Sequence, residues 1–224
     1  MGNFDTALMN EVLDDIIIAR RTIRCFRPDP PRDDAVRQII TAGLHAPYAR
    51  AQVENFTEGY FRRFFVLRAG SDSMATASAR FNAKVNELAQ DLAEKGKADP
   101  VVAEQGRSWA RRLKWWQDEG HLPGVTNAPF FIVIAEYRGF AIPDLAQHAL
   151  AHCLENMWLK ATALDLAFQI VSATAEMNND VPLCGLLGLQ PGEWDLMGCA
   201  LGYAKRPAGP SKRPSAGEVT VWLP

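Results

Sequence analysis

Residues 128–137 read APFFIVIAEY, an unbroken apolar run of strand length. A strand with one solvated face alternates apolar and polar residues, whereas a strand buried on both faces is apolar throughout. We therefore expect residues 128–137 to form a central strand of a sheet. The chain continues into a predicted long helix over residues 143–164, where small and apolar residues recur at three- and four-residue steps.

Weaker signals on both sides of this centre predict further helices and separated strands. The predicted helices cover 6–19, the stretch from Asp33 or Asp34 to before Pro47, 71–97, the stretch from Pro100 to before Gly120, and 178–187, the last capped by Asn178 or Asn179. The predicted strands cover 60–67, 168–171, 197–203 and 218–222. This mixture predicts an α+β or mixed α/β fold in one domain, 1–224, with a helical insertion at about 71–126.

Composition sets limits on function. The chain has 224 residues, 48% hydrophobic and 22% charged, with a net charge of −2. This balance argues against coverage of a long stretch of nucleic acid, and no apolar run approaches the length of a membrane span. The acidic N-terminus lacks the pattern of a secretory signal, and the four cysteines are far apart, so we expect free thiols and a cytoplasmic location.

Two basic clusters are candidates for anion binding. Arg20, Arg21, Thr22 and Arg24 follow the first predicted helix, and Lys205, Arg206, Lys212 and Arg213 lie in a proline-rich linker. Guanidinium groups offer forked donors that stay charged when desolvated, so either cluster could hold a phosphate and the two could close on one anion. The alternatives are a solvated basic turn and a solvated linker.

Other side chains carry weaker hypotheses. His148, His152 and Glu155 share one face of the long helix, a spacing compatible with a metal, although ordinary packing of the histidines is the competing interpretation. Trp109, Trp115, Trp116 and Phe81 could form an aromatic wall over a flat ligand or could pack in a core or dimer interface. Dinucleotide-binding, phosphate-loop and serine-hydrolase motifs are absent from the sequence.

The order of these pieces resembles the FMN-dependent nitroreductase family. IARRTIRCFRPDPP at 18–31 is similar to the opening of that family, and IITAGLHAPYA at 39–49 is similar to its helix ending in Ala-Pro. NAPFFIVIA, AHCLENMWLKATALDLA and CGLLGLQPGEWDLMGCALGYAKRP follow in the family's order. The resemblance covers most of the chain outside residues 71–126.

The resemblance implies a mixed central sheet flanked by helices, in an intertwined homodimer with two FMN molecules at the interface and the C-terminal strand on the partner. It implies a cofactor site made by Arg20, Arg21, Thr22, Arg24, Pro47, Tyr48, Gln52, Ala167 and Phe168, closed by Lys212 or Arg213. NAD(P)H would donate a hydride and leave, and a nitroaromatic, quinone or related acceptor would follow in a ping-pong cycle. Tyr48, Trp115, Trp116 and His121 are the candidates for its pocket, and no metal is implied.

The chain departs from the family pattern near the expected flavin ring. Tyr48 replaces a serine and Ala51 stands where an asparagine is usual, so Gln52 or Asn55 would have to substitute. Ala167 and Phe168 stand where glycine is common. These changes leave open a specialised flavin oxidase of a biosynthetic pathway or a non-catalytic flavin-binding protein. An interaction module without cofactor, the remaining alternative, predicts that the two basic clusters lie apart and exposed.

Overall fold

A computed structural model describes residues 5–139 and 144–223, where helices pack against one four-stranded sheet. The helices are α1 (Thr6–Ala19), α2 (Asp33–Leu44), α3 (Arg50–Val53), α4 (Asp72–Ala98), α5 (Pro100–Glu119), α6 (Leu145–Ala163), α7 (Val181–Leu187) and α8 (Ala216–Val219). The strands are β1 (Arg62–Arg68), β2 (Phe130–Tyr137), β3 (Ala167–Val171) and β4 (Trp194–Gly202). The α+β class is confirmed, and no helix among the described residues is long and apolar enough to cross a membrane.

The central strand lies where its sequence predicts. The sheet order is β1-β2-β4-β3, so β2 has a neighbour on each side, and its first seven residues are buried. All three strand pairs are antiparallel. The parallel pairing expected of a mixed sheet is limited, within the described chain, to a single bridge between Thr22 and Phe168.

Two cores cover the two faces of the sheet. Phe131, Val133 and Ala135 face a core with α4 and α7, while Phe130 and Ile132 face a second core with α2 and α6. Burying a large apolar side chain of this kind contributes about 1.5–3 kcal/mol relative to leaving it exposed. The unbroken apolar run of β2 therefore stabilises both layers at once.

Two glycines allow close approach between elements. A Cβ on Gly198, in β4, would lie 2.3 Å from Thr174 Oγ1 and 2.7 Å from Phe131 Cζ. A Cβ on Gly43, in α2, would lie 2.8 Å from Met157 Cγ and 2.9 Å from Cys153 Sγ of α6. Any side chain at either position would push the adjoining element away.

A buried ion pair joins β1 and β2. The Arg62 and Glu136 side chains are fully buried, and Arg62 Nε donates to Glu136 Oε2 at 2.6 Å. Arg62 Nη1 also donates to the carbonyls of Gly43, at 2.9 Å, and Ala46, at 3.4 Å. Burial raises the pKa of the Glu136 carboxyl, and the hydrogen bonds and charge of Arg62 oppose that rise. The pair fixes the end of α2 against the sheet.

The stretch predicted as a helical insertion forms a hairpin of two long helices. Ser71 caps α4 by accepting from Met74 N, and Asp99 caps α5 by accepting from Val101 N. Pro100 begins α5 where a missing N–H costs nothing, and Gly120 ends it with φ +70°. A few buried residues of the hairpin pack into the core, and most of its remaining surface is exposed.

Two predictions in the C-terminal third are wrong. The predicted helix 178–187 begins only at Val181, because Asp180 rather than Asn178 or Asn179 caps it. Asn178 instead bonds to β4, donating to Asp195 Oδ1 and accepting from Leu196 N, both at 2.8 Å. A 3₁₀ helix over Ser172–Met177, which the pattern did not predict, precedes it.

The predicted last strand over 218–222 is also wrong. Ser215 and Glu218 form a reciprocal capping box, so the chain turns into the short helix α8. Residues 220–223 continue without regular structure, and Trp222 is 91% exposed.

Candidate functional site

The first basic cluster lies in an extended segment that is hydrogen-bonded to β3, to α6 and to the residues after β4. Ile23 N donates to Phe168 O of β3 at 3.1 Å, and Trp158 Nε1 of α6 donates to Arg21 O at 3.2 Å. Lys205 N donates to Cys25 O at 3.0 Å, just beyond β4. The backbone of the segment is therefore fixed along the edge of the sheet.

Arg20 points away from the linker and towards α6. Its Nε lies 3.1 Å from Glu155 Oε1 without the alignment of a hydrogen bond, and its guanidinium stacks 4.3 Å from the centre of the Trp158 ring. A cation over an indole ring contributes about 0.5–1 kcal/mol at an exposed site. Its predicted role in phosphate binding stays a prediction.

Arg21 connects the two basic clusters. Its Nε donates to Gly209 O of the proline-rich linker at 3.1 Å, and its Nη1 donates to the carbonyls of Arg20 and Ile18. Residues 21–25 and 206–210 enclose a groove of about 440 Å³, which we call the linker groove. The expectation that the clusters lie apart is not met.

The donors of the linker groove match an anion. Arg21, Thr22 and Arg24 come from one wall and Arg206 from the other, and no carboxylate lies among the lining residues. Arginine and hydroxyl donors without a competing acid form the donor set that binds phosphate oxygens. The linker groove can therefore hold a phosphate.

A second pocket, of about 480 Å³, adjoins the same segment; we call it the α5 pocket. Helix α5 supplies Ser108, Arg111, Arg112, Trp115 and Trp116, and Arg24, Pro123 and Gln169 complete the lining. Arg24 lines both the α5 pocket and the linker groove. The structure thus brings Arg24, predicted to hold a cofactor, together with the two tryptophans predicted to contact a substrate.

Gln169 is the buried polar group of the α5 pocket. Its residue is 7% exposed, and its Nε2 donates to Pro123 O at 3.0 Å. Its Oε1 is buried and accepts no hydrogen bond within the described chain. Leaving such an acceptor unpaired costs about 1–3 kcal/mol.

Phe168 does not place its side chain in either cavity. The ring is fully buried and stacks on Trp158 with centroids 5.5 Å apart. The bulk expected beside a flavin ring therefore lies inside the core, and the carbonyl of Phe168 faces the basic segment instead. Ala167 is 4% exposed and lines a further pocket of about 450 Å³ with Arg21.

The remaining predicted site residues lie apart from the two cavities. Tyr48 is 47% exposed and packs on Phe61 at 4.3 Å, next to the exposed Pro47. His121 Nδ1 lies 3.0 Å from Glu119 O at the end of α5. The side chain of Gln52 lies outside the described part of the chain, and the roles of these residues stay predictions.

The linker basic residues separate into two groups. Arg206 lines the linker groove, whereas Lys212 and Arg213 are exposed further along the chain. From the sequence, Arg206 is identified only as one member of the linker cluster and not as a cofactor-binding residue. The predicted closure by Lys212 or Arg213 stays a prediction.

The metal hypothesis on α6 has no support in the geometry. His148 and His152 are exposed, and Glu155 pairs with Arg20. Across residues 5–139 and 144–223, no group of three His, Cys, Asp or Glu side chains is placed to hold a metal ion.

The sequence pattern missed the arginines of α5. Ser108, Arg111, Arg112 and Trp115 stand at positions i, i+3, i+4 and i+7, a spacing that aligns them on one helix face. A search for apolar residues at helical spacing does not find this group, because three of its four members are polar. A search for charged residues in helical register with the tryptophans would have found it.

Comparison with known proteins shows which family this chain belongs to. The profile of the nitroreductase family matches residues 17–203, from the end of α1 through β4. This chain belongs to the nitroreductase family. No curated protein sequence matches it.

Solved structures of nitroreductases share the fold at low sequence identity. A Bacteroides fragilis nitroreductase with bound FMN is 20% identical with a TM-score of 0.65, covering 96% of this chain and 100% of that one. A Desulfitobacterium hafniense nitroreductase with bound FMN is 19% identical with a TM-score of 0.66, covering 95% and 98%. The FMN and NADPH-dependent nitroreductase NfnB from a Sphigopyxis strain is 17% identical with a TM-score of 0.65, covering 95% and 99%.

Proposed function

We propose that this nitroreductase-family chain is an FMN-dependent oxidoreductase that passes a hydride from NAD(P)H to an electron-poor acceptor, a nitroaromatic, a quinone or a related conjugated compound. The observation that carries the proposal is the linker groove, where Arg21 and Arg24 of one basic cluster and Arg206 of the other line one cavity free of carboxylates. Relatives of the same fold were solved with bound FMN, which supports the choice of cofactor.

The residues fit the phosphate end of FMN. Arg21, Thr22 and Arg24 would hold the phosphate and its chain from the sheet edge, and Arg206 would hold it from the linker. The backbone of this segment is already fixed, because Asn127 Nδ2 donates to Arg24 O at 3.2 Å. Such preorganisation lowers the entropy lost on binding.

The flavin, when bound, supplies the hydride chemistry that no side chain can. With a quinone the overall reaction is NAD(P)H plus H⁺ plus quinone giving NAD(P)⁺ plus hydroquinone. With a nitro compound it is NAD(P)H plus H⁺ plus ArNO₂ giving NAD(P)⁺ plus ArNO plus water. The chain's own task is to bind and orient each partner in turn, so a ping-pong cycle needs no acid–base dyad.

We place the acceptor in the α5 pocket. Trp115 is 51% exposed at its mouth, and Trp116 packs at right angles to Trp109 with centroids 5.4 Å apart. Fixed indole rings offer a flat apolar surface to a conjugated molecule. Arg24 lines both cavities, so the acceptor pocket adjoins the cofactor groove.

We also propose that the protein acts as a cytoplasmic homodimer. Helix α1 has no buried residue, and its apolar side chains include Leu8, Val12 and Ile17, each about half exposed. Exposed apolar stripes of this kind mark association surfaces. The cytoplasm supplies NAD(P)H and keeps thiols reduced, consistent with the four free cysteines.

Cofactor content tests the proposal directly. The protein would be purified without added flavin, its visible spectrum recorded, and any chromophore released by heat identified; we expect FMN. The double variant Arg24→Ala/Arg206→Ala should raise the Kd for FMN by roughly tenfold or more, because charge-assisted hydrogen bonds to phosphate are lost. Arg107→Ala, on α5 but not among the lining residues of either cavity, is the matched control and should bind FMN like the wild type.

Thiol labelling gives a second readout that does not depend on turnover. Cys25 is exposed and lines the linker groove, so FMN should slow its alkylation by iodoacetamide. Burial raises the pKa of Cys153 to about 12, so this thiol should stay unlabelled and serve as an internal standard. Stoichiometric FMN in the double variant, or equal Cys25 labelling with and without FMN, would place the phosphate elsewhere. A wild type that neither contains nor binds FMN would remove the cofactor assignment.

Enzyme assays separate the catalytic proposal from a flavin-binding protein without turnover. FMN-loaded protein should oxidise NADPH or NADH rapidly in the presence of 2-methyl-1,4-naphthoquinone. Bound FMN with no quinone-dependent oxidation of either donor would favour the non-catalytic alternative. Oxidation that requires only oxygen would favour the specialised oxidase.

A further inference from the structure

The α5 pocket has a charge excess that the fold does not use. Arg24, Arg111 and Arg112 all line it, and no Asp or Glu is among the lining residues. Neither Arg111 nor Arg112 makes an ion pair or a hydrogen bond with any described residue. Two adjacent guanidinium groups repel each other unless an anion is placed between them.

The other arginines of the same hairpin are paired. Arg107 pairs with Glu104 one turn earlier on α5, and Arg80 on α4 pairs with Asp180 at 2.6 Å. Arg111 and Arg112, the two arginines that this hairpin leaves unpaired within the described chain, are the ones that line the pocket.

The same face places aromatic rings beside the charges. Arg111 and Trp115 are four residues apart, as are Arg112 and Trp116, so each guanidinium stands one helical turn before an indole. Gln169 also lines the pocket, but its Oε1 is buried out of reach of a ligand. The lining thus combines a cationic edge and a flat apolar wall.

We propose that the α5 pocket selects planar aromatic acids as acceptors, with Arg111 and Arg112 binding the carboxylate. Trp115 and Trp116 contact the aromatic ring. The inference rests on the proposed function and adds the substrate class to it. Arg111 and Arg112 are specificity-determining residues in this scheme and take no part in the electron transfer.

The test compares two acceptors that differ by one charge, 4-nitrobenzoate and its methyl ester. In both, the nitro group accepts two electrons from NAD(P)H and two protons and loses water to give the nitroso compound. Wild-type protein should show a higher kcat/KM for the acid than for the ester. In Arg111→Gln/Arg112→Gln, kcat/KM for the acid should fall roughly 10- to 100-fold, because a charge-assisted hydrogen bond contributes about one to two factors of ten.

Three comparisons exclude trivial causes. The ester should be reduced by the double variant within about twofold of the wild type, which shows that fold and flavin are intact. Arg107→Gln removes one positive charge from the same helix outside the pocket and should leave the acid-to-ester ratio unchanged. Arg112→Lys in the Arg111→Gln background should restore part of the preference for the acid.

Binding without turnover supplies an independent readout. Calorimetric titration with 4-hydroxybenzoate, which carries a carboxylate, should show a Kd that rises in the double variant, whereas methyl 4-hydroxybenzoate should bind both proteins alike. Failure of the proposed function would be recognised separately, because neither nitro compound would then be reduced by the wild type.

A double variant that retains the wild-type preference for 4-nitrobenzoate over its ester would overturn the inference. Equal kcat/KM values of the wild type for the acid and the ester would overturn it as well. If the double variant keeps the acid-to-ester ratio but has a higher KM for NADPH than the wild type, the arginines bind the phosphate of the donor instead.

Discussion

Arg62 and the arginine pair of α5 carry the same charge in opposite surroundings. Arg62 is 2% exposed, and Glu136 together with the carbonyls of Gly43 and Ala46 accepts its hydrogen bonds. Arg111 and Arg112 stand in an open pocket without an acidic neighbour. The first arrangement is complete within the chain, whereas the second is open to an anion from outside it.

The difference has an energetic origin. A buried guanidinium is tolerated only when its charge and donors are satisfied, because desolvation costs several kcal/mol per ion. An arginine at the surface keeps its water and can exchange it for a ligand anion at little cost. Stability therefore depends on Arg62, and we expect function to depend on Arg111 and Arg112.

Arg62→Met should produce the largest effect. It leaves Glu136 buried without its cation, which costs about 3–5 kcal/mol in the free energy of unfolding. Burial already raises the pKa of Glu136, and loss of Arg62 removes the opposing influence. The folded-state pKa then lies above the unfolded value, so stability is retained below the unfolded pKa and lost as the pH rises through the folded one. Urea denaturation at pH 5 and pH 8 should show the greater loss at pH 8.

A second variant makes this prediction specific. Arg62→Met/Glu136→Leu removes both charges, and its unfolding free energy should recover much of the loss. No recovery would mean that the hydrogen bonds from Arg62 to Gly43 and Ala46 carry the effect.

An intermediate effect is expected at Asp180, which caps α7 and binds Arg80 of α4 at 2.6 Å. Asp180→Ala loses both interactions and about 1–2 kcal/mol of unfolding free energy. Asp180→Asn keeps the cap and loses only the partly exposed ion pair, about 0.5–1 kcal/mol.

The pH dependence at Asp180 has a defined sign. Burial alone would raise the pKa of Asp180, but hydrogen bonds from Arg80 and Leu183 N lower it below its usual value. Its contribution is therefore present above the unfolded pKa near 3.9 and lost as the pH falls through the folded value. Thermal unfolding between pH 6 and pH 3 should be less pH-dependent in Asp180→Asn; an equal slope would contradict this.

The smallest effect on stability belongs to the pocket arginines. Arg111→Gln/Arg112→Gln should change the free energy of unfolding by less than about 0.5 kcal/mol, because these side chains make no contact that folding needs. A loss above 1 kcal/mol in urea denaturation would place them with Arg62 as structural residues.

Sequence reasoning located the parts of the fold that rest on local pattern. The apolar run 128–137 predicts β2 because burial on both faces leaves a direct trace in composition. Residues 215–222 misled it, because β-branched residues there suggest a strand while the Ser215 and Glu218 capping box starts a helix. In the 3₁₀ helix at Ser172–Met177, Thr174 Oγ1 donates to Val171 O. No local sequence pattern predicts this helix.

In the candidate site, too, some residues can be predicted from local sequence and others depend on tertiary contacts. Arg21, Thr22 and Arg24 could be proposed from their density of donors, and the structure brings them to one groove with the linker. The burial of Phe168 could not be foreseen, because its facing depends on the register of β3 with β4. Arg111 and Arg112 read in sequence as ordinary helix charges, and only the pocket across from them gives them a role.

Gly198 constrains how this sequence can change over generations. It pairs with Val133 on one side and Val171 on the other, and Thr174 and Phe131 occupy the space that any Cβ would need. Replacement by even alanine demands a simultaneous change at two positions far apart in the chain. A single substitution at Gly198 should therefore destabilise the fold. We expect this glycine to be retained in descendants whose cavity residues have changed.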